Sequence, residues 1–165
     1  MEKIQSFGPV IHKDSRILIL GSIPGIASLR AGEYYAHPQN QFWRILFILF
    51  ESPLERDYTK KLTLLQSRGI ALWDVVQSCY RAGSLDTNIQ GETLNDFAGL
   101  FAEYPGIQAV FFNGTKGYDM FRKKVGFERW SGKRWELLPS TSPARTIPLE
   151  QKLTQWSKIL TYIKV

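Results

Sequence analysis

The sequence predicts an α/β fold: a three-layer α/β/α sandwich around a short, mainly four-stranded parallel sheet. Segments with helical spacing of apolar residues alternate with short apolar runs that have the length of buried strands. An alternation of strands and helices requires crossover connections, which make the strands parallel and cover both faces of the sheet. The predicted strands are 16–22, 70–76, 109–113 and 135–138.

The helices are predicted from the spacing of their apolar residues and from signals at their ends. The second helix stops at Gly69, a residue typical of helix C-termini. In the third, Thr93 and Asp96 resemble an N-terminal capping pair. The predicted helices are 41–50, 54–68, 93–104 and 149–163.

Length and composition indicate one domain over residues 1–165, because 165 residues with 44% hydrophobic content suffice for one substantial core. The longest apolar run, 45–50, is far shorter than the roughly 20 residues of a membrane span. The mixed, polar start of the chain does not resemble a secretory signal, so we expect a cytoplasmic protein without membrane contact. A lone cysteine, Cys79, and two histidines predict no disulfide and no metal site.

The net charge of +6 is unevenly distributed along the chain. Residues 1–112 carry 10 basic and 11 acidic side chains, whereas residues 113–165 carry 11 basic and 4 acidic ones. Concentrated positive charge favours a polyanionic partner such as nucleic acid. A soluble basic surface without a specific partner is the alternative that charge alone leaves open.

Three polar segments follow the first, third and fourth predicted strands: 21–40, 113–116 and 139–145. Ligands bind at the carboxyl ends of parallel strands, so these segments predict a functional cleft at one edge of the sheet. The turn from Gly21 to Gly25 has neither the GxxxxGK[ST] nor the GxGxxG pattern, so it does not indicate a nucleotide site.

Several residues of the predicted cleft have two interpretations. Asn40 either orients a water molecule or caps helix 41–50. Phe42 and Trp43 are either core residues or a stacking face for a flat ligand. Asn113 either matches a nucleobase edge or is a turn residue before Gly114. Open roles remain for His37, Glu33 and Asp86, which are either functional or ordinary loop residues.

The loop after the last strand is predicted to hold phosphate. It places three hydroxyls between two prolines and is followed by Arg145. Basic side chains near the loops are expected to add phosphate contacts. The residues predicted to bind nucleic acid are Lys116, Lys133, Arg134, Ser140, Thr141, Ser142, Pro143, Ala144 and Arg145.

Three separated segments resemble the uracil-DNA glycosylase superfamily, and most closely its deoxyinosine (hypoxanthine) DNA glycosylase branch. Gly21-Ser22-Ile23-Pro24-Gly25 together with Asn40-Gln41-Phe42-Trp43 resembles the first motif of that family. Phe112-Asn113-Gly114 resembles its strand-tip asparagine, and the segment 138–145 resembles its DNA-inserting loop.

The resemblance implies a three-layer α/β/α fold and an enzyme of base excision repair, without metal or cofactor, that flips a damaged base out of DNA. Relatives often carry a catalytic Asn or Asp in the first turn, where this chain has Ser22 and Ile23. In the deoxyinosine branch an asparagine further along takes that role, and the matching residue is Asn40. Arg145 is the implied wedge. The implied base pocket is Gly21, Ser22, Ile23, Pro24, Gly25, Tyr35, Phe42 and Asn113.

The resemblance also implies a monomeric, nucleoid-associated enzyme. It implies a monofunctional one, because no lysine lies at the matched catalytic positions to carry out a lyase step. It would hydrolyse the N-glycosidic bond of hypoxanthine in double-stranded DNA and leave an abasic site. A uracil or mismatch-specific glycosylase, a non-catalytic nucleic-acid-binding module, and action on single-stranded DNA stay open as alternatives.

Overall fold

The computed structural model describes residues 2–164. Short 3₁₀ turns lie at 86–88, 128–130 and 157–161. The strands and helices, in chain order, are β1 (Lys3–Gln5), β2 (Ile17–Gly21), α1 (Ile26–Ala31), α2 (Phe42–Leu49), α3 (Tyr58–Ser67), β3 (Ile70–Asp74), β4 (Val76–Tyr80), β5 (Gln90–Leu94), α4 (Phe97–Glu103), β6 (Ala109–Asn113), α5 (Thr115–Lys124), β7 (Arg134–Leu138) and α6 (Leu149–Trp156).

The main sheet is parallel and has the strand order β3-β2-β6-β7. Gly21 at the end of β2 pairs with Asp74 at the end of β3, and Asn113 pairs with Leu138 across β6 and β7. The predicted four-stranded parallel sheet is therefore confirmed. All four carboxyl ends lie along one edge, which is where ligands bind in such sheets.

Both faces of this sheet are covered, because alternate residues of each strand point to opposite sides. In β2, Ile17 and Ile19 pack with residues of α2, α3 and α6, whereas Leu18 and Leu20 pack with residues of α4 and α5. All four of these β2 side chains are fully buried. The three-layer arrangement is confirmed.

The predicted strand 70–76 is in fact two strands that belong to different sheets. β3 ends at Asp74, and β4 begins at Val76 in an antiparallel sheet of order β1-β4-β5. Val75 lies between them, where its N–H donates to the Gly21 carbonyl at 2.8 Å. Val75 and Val76 are as buried as β3 itself, so hydrophobicity does not change at the break.

Three helix predictions were wrong at their ends. The helix predicted over 54–68 begins only at Tyr58. Thr93 is not part of a capping pair; it lies in β5 and pairs with Ser78. α4 starts at Phe97, and its N-terminus is capped by Asp96, whose carboxylate accepts the Gly99 N–H at 3.0 Å. The last helix, predicted to reach residue 163, ends at Trp156 and continues as a 3₁₀ turn.

Candidate active site

A cavity of about 470 Å³ lies at the carboxyl edge of the parallel sheet. Its volume is in the usual range for a small-molecule site. Most residues predicted from the first turn and from the loop after β7 line this cavity. The complete lining is Gly21, Ser22, Ile23, Pro24, Gly25, Ile26, Ala27, Ser28, Tyr34, Tyr35, His37, Asn40, Asp74, Ser84, Leu85, Asp86, Thr87, Asn113, Ser140, Thr141, Ser142, Pro143, Ala144 and Arg145.

Gly21 forms the floor of the cavity and has no room for a side chain. A Cβ atom at this position would lie 2.6 Å from Asp74 Oδ1 and 3.3 Å from the Tyr35 hydroxyl. Glycine is required at this position because the side chains of Asp74 and Tyr35 approach its backbone.

Tyr35 takes the place at the cavity that was predicted for Phe42. The Phe42 side chain is fully buried and lies behind Tyr35, with the two rings stacked at 3.9 Å between centroids and 22° between planes. The prediction that Phe42 lines the base pocket is wrong, because α2 turns this ring into the core. Trp43 is also a core residue, and its indole N–H donates to the Tyr34 carbonyl at 3.0 Å.

Asn40 lies in the cavity wall and also bonds to the start of α2. Its Oδ1 accepts the Phe42 N–H at 2.9 Å, and its own N–H donates to the His37 carbonyl at 2.9 Å. The two interpretations of Asn40 are thus compatible in space. The bond to Phe42 occupies one of the two lone pairs of Oδ1, so the other remains available to a water molecule or ligand.

Asn113 holds the loop after β7. Its Nδ2 donates to Thr141 Oγ1 and its Oδ1 accepts the Thr141 N–H, both at 2.9 Å. The Thr141 carbonyl accepts the Gln41 N–H at 3.0 Å, which joins the loop to the segment before α2. Thr141 is fully buried, so its predicted phosphate contact is wrong: the hydroxyl anchors the loop.

The remaining hydroxyls of this loop shape its backbone. Ser140 Oγ accepts the Ser142 N–H at 3.1 Å, and Ser142 Oγ accepts the Ala144 N–H at 3.2 Å. Arg145 is exposed at the rim, where it also lines a second cavity of about 680 Å³ on the other side of the loop. The loop therefore separates two depressions, with Arg145 between them.

Two predicted DNA-binding residues lie at the opposite edge of the sheet. Arg134 is the first residue of β7, directly after Lys133, and lies about 13 Å along the strand from Leu138, the last residue before the 139–145 loop. Lys133 Nζ donates to the Ile107 carbonyl at 2.6 Å and lies 4.9 Å from the centre of the Phe101 ring. The predicted position of both residues beside the cleft is wrong, because a parallel strand carries its first residues away from its last ones.

The wall opposite the 139–145 loop is formed by the segment between β4 and β5. Asp86 accepts the Ser22 hydroxyl at 2.5 Å. Arg81 donates from Nη2 to the Pro24 carbonyl and from Nε to the Gly83 carbonyl, each at 2.7 Å. Burial raises the pKa of Asp86, while the Ser22 hydroxyl and the positive charges of Arg81 and Lys116 oppose that rise.

Asp74 is the residue that sequence reasoning missed. It ends β3, it lines the cavity, and its Oδ2 is buried without a hydrogen-bond partner. Burial, followed by the negative charge of Asp86, raises the pKa of Asp74 to about 7, with Arg81 acting in the opposite direction. The signal was a lone carboxylate inside the predicted apolar strand 70–76. His37 also lines the cavity, whereas Glu33 does not.

The family model of the Uracil DNA glycosylase superfamily matches residues 9–164, so the chain belongs to this superfamily. It is 36% identical over 159 residues to the hypoxanthine DNA glycosylase of Methanosarcina barkeri, covering 94% of this chain and 97% of that protein. It is 34% identical over 161 residues to the hypoxanthine DNA glycosylase of Methanosarcina acetivorans, covering 96% and 98%.

A solved structure has the same fold. The solution NMR structure of a Methanosarcina acetivorans protein, provisionally named a uracil DNA glycosylase, superposes with a TM-score of 0.83 at 33% identity and covers 96% of each chain. Within residues 2–164 we find no helix with the length and hydropathy needed to cross a membrane.

Proposed function

We propose that this protein is a monofunctional DNA glycosylase of base excision repair that hydrolyses the N-glycosidic bond of a deaminated base, with hypoxanthine as the preferred base. The observation that carries the proposal is the position of the Asn40 amide in the wall of a cavity of about 470 Å³ at the carboxyl edge of the sheet. That volume suits a single nucleobase, so the base must leave the DNA stack to enter.

The flipped base would lie against Tyr35, above the backbone of Gly21. Phe42 supports the other side of the Tyr35 ring, which keeps this aromatic surface in place. Asn113 lies across the floor from Asp74 and retains one N–H and one lone pair beyond its bonds to Thr141. These groups offer both donors and acceptors to the edge of a base.

Asn40 would place the attacking water against the sugar. Cleavage builds positive charge on the sugar and negative charge on the base, so a water oriented by a fixed amide oxygen lowers the barrier without a charged nucleophile. Among the described residues that line the cavity, none is a lysine that would form a Schiff base with the sugar. Hydrolysis would therefore yield an aldehydic abasic site.

The loop of residues 139–145 would enter the duplex, and Arg145 at its exposed end would fill the space of the flipped base. Lys116, at the start of α5, lies close enough to the cavity wall to act on Asp86 and would face phosphate. Double-stranded DNA with a damaged base, bound by a protein monomer, fits this arrangement.

We propose hypoxanthine as the first candidate base because two similar proteins of nearly the same length are named hypoxanthine DNA glycosylase. Uracil is the second candidate, since the protein of similar structure carries a uracil DNA glycosylase name. The test is incubation of matched duplexes containing deoxyinosine or deoxyuridine, followed by alkali to cut abasic sites. Release of hypoxanthine supports the proposal, release of uracil alone supports the second candidate, and binding without cleavage indicates a non-catalytic module.

A further inference from the structure

Three buried side-chain atoms among the described residues have no hydrogen-bond partner, and two of them belong to residues that line the active-site cavity. They are the Tyr35 hydroxyl, Asp74 Oδ2 and Arg81 Nη1. An unpartnered buried polar atom costs free energy, so native proteins contain few of them. The two beside the cavity point to a bound ligand that would supply the missing partners.

The backbone around these atoms is arranged to bring them together. Tyr35 has φ of 57°, a left-handed conformation that a bulky residue seldom adopts. Strain of this kind persists where the surrounding structure enforces it and is common at active sites. Here it accompanies a close approach of two polar groups to Gly21: a Cβ atom there would lie 3.3 Å from the Tyr35 hydroxyl and 2.6 Å from Asp74 Oδ1.

The surroundings of Asp74 favour the neutral form of its carboxyl group more than water does. Burial raises the pKa of Asp74 to about 7. The charged groups that act on it are Asp86 and Arg81, both from the wall between β4 and β5, and Arg81 only partly offsets the burial. Tyr34 and Tyr35 from the segment before α2 add no charge, because burial raises their pKa values far above neutrality.

On the basis of the proposed function, we propose that Asp74 is the general acid of the reaction and protonates N7 of the departing hypoxanthine. Asp74 and Asn113 end strands on either side of β2, two strand spacings or about 10 Å apart. This span fits a bicyclic purine lying over Gly21. A carboxylic acid whose neutral form is favoured by burial is a known means of donating a proton to a substrate near neutral pH.

N7 is the basic nitrogen of the ring that carries the glycosidic bond, so a proton there makes the base a better leaving group. The bond between C1′ and N9 breaks and its electron pair goes to the purine, while the Asp74 proton forms the new bond to N7. The oxygen of the Asn40-bound water bonds to C1′, and the water loses one proton to solvent. Asp74 regains a proton from solvent after hypoxanthine leaves, so the reaction consumes one water molecule.

The test compares two substrates in single-turnover assays between pH 5.5 and 8.5: DNA containing deoxyinosine, and DNA containing 7-deaza-2′-deoxyinosine, in which a C–H group replaces N7. For the wild-type protein on deoxyinosine, we expect a rate that falls above pH about 7, roughly tenfold per unit. On the 7-deaza substrate the rate should be low and should not fall in that way. The assay measures the rate of base release from each substrate directly and does not depend on equilibrium binding.

The variant Asp74→Asn keeps the shape of the side chain but has no acidic proton. We expect it to lose about 10²-fold or more on deoxyinosine at pH 6.5, to show no fall in rate above pH 7, and to lose little further on the 7-deaza substrate. Asp119→Asn is the matched control, since Asp119 lies on the exposed surface of α5. It should behave as the wild type on both substrates.

The outcomes separate this inference from the proposed function. A wild-type protein that releases no hypoxanthine overturns both. Should the wild type be active but equally pH-dependent on the two substrates, N7 protonation is overturned while the glycosylase proposal stands. The same holds if Asp74→Asn loses the same factor on both substrates. If Asp74→Asn does not fold, the wild-type comparison of the two substrates across pH still decides.

Discussion

Asn113 and Thr141 bind each other through two hydrogen bonds of 2.9 Å, one between side chains and one from the Thr141 backbone. This pair joins the tip of β6 to the loop of residues 139–145. The same asparagine that faces the base pocket therefore also fixes the segment proposed to enter DNA. The proposed base pocket and the segment proposed to open the duplex therefore share one structural support.

Thr141→Val is expected to weaken this support. The change keeps the volume but removes the acceptor for Asn113 Nδ2, and the unfolding free energy should drop by about 1–2 kcal/mol. Base release from a stable deoxyinosine pair should fall, because the loop is less well held. Urea denaturation and single-turnover assays measure the two effects. Ser142→Ala, in the same loop, is the control; an equal loss there would show that the Asn113 contact has no special role.

Asn40→Ala should retain the fold and most of the DNA affinity but lose most glycosylase activity. Loss of the bond to the Phe42 N–H costs about 1 kcal/mol of stability by itself. Asn40→Asp keeps an oxygen acceptor for that N–H, so it separates capping from catalysis. Activity in Asn40→Ala close to that of the wild type would leave Asn40 with the capping role alone.

Arg145→Ala should impair base extrusion more than the chemical step. A planar, charged side chain fills the vacated stack, whereas alanine leaves it open. We expect the defect to be largest for deoxyinosine in a stable pair, smaller in a poorly stacked mismatch and smallest in a single strand. Arg134→Ala, at the opposite edge of the sheet, is the matched control. An equal defect on all three substrates would make Arg145 a phosphate contact instead of a wedge.

Lys116→Ala should weaken binding to undamaged duplex uniformly across sequences. Removal of one phosphate contact should reduce the slope of log affinity against log salt by about 1. Arg134→Ala should leave both affinity and slope unchanged, in contrast to the expectation from sequence that placed Arg134 beside the cleft. Fluorescence anisotropy over a salt series measures both, and a loss of slope in Arg134→Ala would locate the DNA surface elsewhere.

Asp74→Asn should stabilise the protein more at pH 8 than at pH 4.5. The Asp74 pKa is about 7 in the folded protein and about 3.9 in the unfolded chain, so the folded state binds the extra proton between these values. The wild-type unfolding free energy therefore falls with rising pH across this window, by at most about 1.4 kcal/mol per unit, and levels off above about pH 7. Asparagine has no such dependence. A difference between variant and wild type that is constant with pH would contradict this origin.

The fold and the outline of the site were predictable because strand ends are explicit in the sequence. Gly21 and Asn113 directly follow apolar runs, and parallel strands bring such ends to one edge. The family assignment is confirmed by the matched family model and by the similar proteins. The single-domain organisation over 1–165 and the residue roles stay predictions.

The errors have physical causes that periodicity does not reveal. The chain leaves the parallel sheet at Val75 without any loss of burial, so one apolar run contains two strands and conceals Asp74 as a strand end. Whether Tyr35 or Phe42 faces the cavity depends on a left-handed backbone at Tyr35, which no spacing rule predicts. The position of Lys133 and Arg134, however, could have been predicted from the sequence, because they lie at the start of a parallel strand whose other end meets the cleft.

The self-bonded serines of the 139–145 loop affect the thermodynamics of DNA binding. Each immobilised flexible side chain or loop segment costs on the order of 0.5–1.5 kcal/mol on association. Here Ser140 and Ser142 already bond to backbone N–H groups, and Trp156 donates to the Pro139 carbonyl at 2.9 Å. We therefore expect the loop to lose little conformational entropy in the proposed insertion, so that most of the unfavourable free energy of complex formation comes from opening the DNA. On this basis we expect a duplex already weakened by damage to bind in preference to an intact one.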